Sequence, residues 1–97
     1  MTLPKQIKVG GLTVAINEVH NLAHERERMA EYCPWDCEIR VDDDLTECRK
    51  WASIIHELIE CIVAVNEIQM SHQDISIMAS QLHQVLTDNS LTWGNNK

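Results

Sequence analysis

Between about residues 46 and 67, apolar side chains recur so densely that only a helix buried on more than one side can accommodate them. At about 100° per residue, Cys61, Ile54, Val65, Leu58, Trp51, Ile62, Ile55, Ile59, Ala52 and Val63 sweep a wide arc. A helix lying on the surface needs a narrower stripe, so this one is expected at the centre of the fold. Asp43, Asp44 and Glu47 stand at its start, where negative charge meets the positive end of the helix dipole. Cys48 and Cys61 both fall on the arc and are expected as buried thiols that pack as small hydrophobes.

What precedes this helix reads as a sheet. Ile7-Lys8-Val9 and Leu12-Thr13-Val14-Ala15-Ile16 flank Gly10-Gly11, a β-hairpin pattern in which both glycines can adopt positive φ. Residues 21–31 fit either a short charged helix or a strand feeding the next turn. Ala30-Glu31-Tyr32-Cys33 and Cys37-Glu38-Ile39-Arg40-Val41 bracket Pro34-Trp35-Asp36 and predict a second hairpin, with Cys33 and Cys37 close across its turn. After the long helix, Ser71-His72-Gln73-Asp74 has the form of a capping box, with Asp in place of Glu or Gln. Ile75, Met78, Ala79, Leu82, Val85 and Leu86 then mark one face of a last helix ending near Asn89. The expected architecture is α+β: a small antiparallel sheet of two hairpins packed on a central helix and a C-terminal helix. The 97 residues fit one domain, ordered over about residues 5–89, with a loose tail from Ser90 tacked down by Leu91 or Trp93.

Composition narrows the functional classes. With 4% aromatics and no Phe, the core must rest on Ile, Leu, Val and Met. A net charge of −7 leaves no basic face for phosphate, so nucleic acid is not an expected partner. The carboxylates are too scattered for a DNA mimic, and Asp42-Asp43-Asp44 reads as a solvated loop before the helix. No signal peptide opens the chain, and the longest apolar stretch, near residues 62–65, is too short to span a bilayer. Four cysteines without a secretory signal point to reduced thiols in a cytoplasm.

The long helix also carries His56-Glu57-Leu58-Ile59-Glu60, a variant of H-E-x-x-H with Glu in the fifth position. His56 and Glu60 are one helical turn apart on one face, where two ligands can reach one metal ion. Glu57 beside them can act as general base toward a water. On the helical wheel His56 and Glu60 lie just past one edge of the apolar arc, and Glu57 lies further round. A solvated pair of charges four residues apart is the plain alternative to this reading.

Beyond the motif, residues 30–42, Leu45 and Ile54-Ile55-His56-Glu57-Leu58-Ile59-Glu60-Cys61-Ile62 follow a recognisable order. A strand of form E-I-x-[IV]-D, a short linker and a helix reading [LI]-x-H-E-[IL]-[IL]-[HE]-A-[IL] lead to a second helix ending in Q-V-L-x-D-N. Here that ending is Gln84-Val85-Leu86-Thr87-Asp88-Asn89. The combination resembles small phage and prophage proteins classed as zinc metallopeptidases, themselves similar to pared-down ImmA/IrrE-type enzymes. The resemblance covers about residues 7–89. It implies a zinc-binding helix on a small sheet, a bacterial host cytoplasm, and proteolysis of a phage or host regulator.

A catalytic zinc needs three protein ligands and one open position. With His56 and Glu60 as two, the third is expected from the second helix or the loop before it. His72 is the first candidate, because a helical hairpin brings its start back toward the motif, and Asp74 is the second. A solvent-exposed capping histidine is the plain alternative for His72, and His83, eleven residues on, is too distant. His20 and His24 are expected to face solvent. Cys33 and Cys37 lack the second cysteine pair of a zinc finger. Two functions compete. One is zinc-assisted hydrolysis of a peptide or protein substrate with Glu57 as base, slowed because an anionic Glu60 weakens the Lewis acidity of the metal. The other is a non-catalytic phage accessory protein that binds a host or phage protein, with the motif helix structural or metal-binding only.

Overall fold

A computed structural model describes residues 3–26 and 28–91. Strands β1 (Gln6–Val9) and β2 (Leu12–Val19) form the first hairpin, and only Gly10 of the glycine pair takes positive φ, at 59°. One left-handed residue opening a two-residue turn is enough to reverse the chain with the twist that paired strands require. A short helix α1 (Leu22–Arg26) follows Asn21, whose φ of 63° suits a side chain tolerant of the left-handed region. Strands β3 (Ala30–Cys33) and β4 (Glu38–Asp42) make the second hairpin, and Trp35 at its tip is 99% exposed.

The two hairpins do not join as a purely antiparallel sheet. The strand order is β1-β2-β4-β3, and β2 pairs with β4 in parallel, Ala15 opposite Glu38 through Val19 opposite Asp42. Burial explains the order. Ile39 and Val41 of β4 are inaccessible, so β4 belongs inside the sheet, while β3 takes the edge. The segment through α1 is long enough to carry the chain past the width of one strand before β3 begins.

Helix α2 (Glu47–Val65) crosses this sheet and α3 (His72–Asp88) packs on α2. Thr46 caps α2 by accepting from the Arg49 backbone N–H, and Ser71 caps α3 by accepting from that of Asp74. The wide arc of α2 is used twice. Ile54, Leu58 and Cys61 pack with Val14, Ile16, Ile39 and Val41 of the sheet, and Ile55 and Ile59 pack with Ile75 and Ala79 of α3.

Several residues lie elsewhere than their sequence pattern suggests. Cys48 is exposed, because it sits in the first turn of α2, beyond the end of the sheet packing. Ile62 and Val65 at the other end of the arc are also exposed, as are Met29 and Met78, so methionine contributes little to the core. Trp93 lies outside the described residues. Asp42 is not part of a solvated loop. Only 2% exposed, it ends β4 and accepts from the backbone N–H groups of Ala23 (2.6 Å) and Asp44 (2.8 Å). It thereby pins α1 and the turn into α2.

Those two N–H donors hold the Asp42 carboxyl below its usual range, the Ala23 bond first. Its contribution to stability is therefore complete above the unfolded-state value of about 4 and is lost as pH falls through the lower folded-state value. Asp42→Asn is expected to melt at a lower temperature than the parent at pH 7, with the gap narrowing in melts run below about pH 4.

Candidate functional site

Glu60 stands between two imidazoles. Its Oε2 lies 3.3 Å from His56 Nε2, one turn back on α2, and 3.5 Å from His72 Nδ1 at the first turn of α3. The two rings are 5.1 Å apart at centroids and tilted by 58°. One ligand atom from each of His56, Glu60 and His72 falls within 4.8 Å of the others. Donors at about 2.0–2.2 Å from a common zinc, set at tetrahedral angles, stand about 3.3–3.6 Å from one another. The two measured edges meet that spacing, and the donors are one anionic oxygen and two imidazole nitrogens, which zinc accepts. The set therefore fits a small divalent ion that prefers nitrogen and oxygen.

The local fold explains the convergence. Ser71 starts α3, so His72 occupies the first position of a helix that runs back along α2, directly over the motif turn. His72 is 77% exposed at its side chain, while His56 and Glu60 are half-buried. The trio thus sits at the mouth of a cleft of about 700 Å³. Arg28, Met29, Ala30 and Tyr32 line one wall, and Ala52 and Ser53 contribute to the other.

Glu57 also lies in this cleft, further round the helical wheel than His56 and Glu60. The edge strand β3 covers that flank of α2 and buries it. Burial, followed by the negative charge of Glu60, pushes its carboxyl up to about 7, while the Tyr32 backbone N–H and the Arg28 charge pull the other way. The direction of that N–H follows from the ladder. Asp42 donates to the Met29 carbonyl, so Met29, Glu31 and Cys33 turn their backbone groups toward β4, and Ala30 and Tyr32 turn theirs outward, to the free edge. The Tyr32 hydroxyl is committed elsewhere: hydrogen bonding with Cys61, then burial, push the phenol up to about 12.

The remaining candidates lie apart from the trio. Asp74 does not join the set. His83 faces Cys48, its Nε2 3.7 Å from the thiol. His20 is largely exposed, with Nδ1 3.5 Å from Asp43, and His24 is exposed. Cys33 and Cys37 address different neighbours, Cys33 the Glu31 carboxylate at 3.8 Å and Cys37 the Thr13 carbonyl at 3.3 Å, and both are free thiols. Sequence reasoning did not identify Arg28 and Tyr32 as cleft residues. Nothing in the sequence marked them, because it is the strand order, which alternation does not specify, that puts β3 at the edge.

No family model matches the chain, and neither a curated protein nor a solved structure is significantly similar to it. Among the described residues, no helix is long and apolar enough to cross a membrane.

The geometry predicts a graded response to substitution. In competition titrations with Zn²⁺ or Co²⁺, His56→Ala and His72→Ala are expected to weaken binding by more than about 100-fold, beyond the loss typical of an outer-shell partner. Asp74→Ala is expected to leave it unchanged. Equal losses for Asp74 and His72 would show that the third donor is misassigned.

Proposed function

We propose that this protein is a small zinc-dependent peptide hydrolase. The observation that carries the reading is the placement of three converging donors, His56, Glu60 and His72, at the mouth of a cleft that also holds a half-buried carboxyl group, Glu57. The resemblance of residues 7–89 to small phage metallopeptidases supports the same assignment and suggests a phage or host regulator as substrate.

His56, Glu60 and His72 would hold the ion and leave one position open. When bound, zinc would supply Lewis acidity toward a water and a peptide carbonyl. Glu57 takes the proton of the attacking water and returns it to the leaving amine. Burial, which disfavours its ionised form, helps it return the proton to the leaving amine. The outward backbone groups of Ala30 on β3 offer an extended substrate main-chain hydrogen bonds along the wall of the cleft. Arg28 supplies a positive charge at the same wall. An anionic Glu60 where related motifs place histidine lowers the charge of the centre, so slow turnover is expected.

The experiment uses the untagged full chain, loaded with one equivalent of Zn²⁺, against a quenched-fluorescent pool of unstructured peptides. Glu57→Gln is expected to retain zinc and lose at least about 100-fold in cleavage, the range of a general base. Zinc retained with unchanged turnover would remove Glu57 from that role. Absence of stoichiometric zinc, with no gain in melting temperature on adding it, would instead favour a non-catalytic protein that binds a host or phage protein.

A further inference from the structure

Outside the cleft, the helical hairpin joins a nucleophile to a base. Cys48 is the exposed one of the four thiols, and the Nε2 of His83 lies 3.7 Å from its Sγ. An exposed cysteine alone reacts as a peptide thiol does, but here a second helix delivers an imidazole to it. The register of the hairpin makes them meet. His72 reaches Glu60 at one end, and Ile75 and Ala79 pack with Ile55 and Ile59 in between. Eleven residues on from His72 and twelve back from Glu60, two helices of equal rise bring His83 to Cys48. The pair stands about 18 Å from Glu60 along α2 and shares no residue with the trio.

Each helix contributes to the chemistry of the sulfur. Cys48 is the second residue of α2, among backbone N–H groups without partners inside the helix and at the positive end of its dipole. Negative charge developing on sulfur is stabilised at such a position. Glu47 and Arg49, its neighbours in the chain, carry opposite charges. On α3, no Asp, Glu, Lys or Arg lies between Asp74 and Asp88, so the half-buried His83 is the one group of that stretch that exchanges protons near neutral pH.

The other three thiols lack this combination. Cys61 is fully buried against the sheet. Cys33 is half-buried, beside the Glu31 carboxylate, and burial pushes its thiol up, against the pull of the Arg40 charge. Cys37 is half-buried and gives its S–H to the Thr13 carbonyl. Only Cys48 combines exposure, a helix start and an imidazole, the setting in which protein thiols react.

We propose that Cys48 and His83 act as a nucleophile–base pair, and that Cys48 is where this chain exchanges with small disulfides. The thiol proton passes to His83 Nε2, and the Cys48 sulfur attacks one sulfur of the disulfide. A new S–S bond joins Cys48 to that half while the old S–S bond breaks. The other half leaves as a thiolate and takes the proton from the imidazolium. The disulfide is the oxidant, so no further electron acceptor is needed, and the reaction is independent of metal and of hydrolysis.

The test mixes the untagged full chain, reduced and held in chelator, with the disulfide of 2-mercaptoethanol, whose neutrality removes any effect of the chain's −7 charge. Adducts are located over time by peptide mass mapping. Cys48 is expected to take the first adduct, at least about five-fold faster than the same thiol in the chain unfolded by urea, while the other three thiols react faster once unfolded. His83→Gln is expected to slow Cys48 by about five-fold and to leave Cys61 protected, whereas loosened packing would expose Cys61. Should Cys61 become reactive in that variant, His83→Asn is read in the same way, and the folded-to-unfolded ratio of the parent decides. A first adduct on Cys33 or Cys37, a Cys48 no faster folded than unfolded, or an unchanged rate in a folded His83 variant would overturn the proposal.

Discussion

Everything in this fold depends on α2 being buried from two directions at once. Ile54, Leu58 and Cys61 close the sheet, while Ile55 and Ile59 hold α3. With no Phe in the chain, this aliphatic packing must supply most of the apolar burial. The residues at the margins of those two contacts are the ones left for chemistry. His56 and Glu60 lie at the margin where α3 begins, and Glu57 lies where β3 overhangs. The candidate site is a consequence of how the central helix is wedged, because each of its side chains occupies a gap between packed surfaces.

The wide apolar arc was legible in the sequence because helical periodicity leaves a strong trace over 19 residues. Both hairpins were legible from their turn residues, and so was the return of His72 toward Glu60, because a short link between two amphipathic stretches leaves few ways to pack them. The parallel pairing of β2 with β4 was not. Strand alternation states which face a residue occupies, and it does not state which strand is the neighbour. Asp42 was misread for a related reason: its neighbours Asp43 and Asp44 are exposed, and it is the backbone N–H groups of Ala23 and Asp44 that make a carboxylate worth burying there. Cys48 follows the helical phase of the core, but it stands beyond the end of the sheet that would cover it.

The electrostatics of the cleft follow from the same geometry. A carboxyl beneath an edge strand loses solvent, and Glu60 nearby makes a second negative charge still less welcome. The Tyr32 N–H can offset this because the sheet ladder ends at β3, which leaves that donor without a strand to pair with. Outer-face charges are handled differently. Arg40 gathers Glu31, Asp36 and Glu38 into a fan of ion pairs, so that side of the sheet carries its acids already neutralised in part.

His72 reaches the site from a different helix than its two neighbours, and this has a thermodynamic consequence. An ion held by all three would act as a clasp between the arms of the helical hairpin, spanning the link from Asn66 to Met70. Binding at the clasp and seating of α3 on Ile55 and Ile59 would then be reciprocal, each strengthening the other by the same free energy. Fraying of the hairpin would loosen the ion, and withdrawal of the ion would speed amide exchange along the first turns of α3.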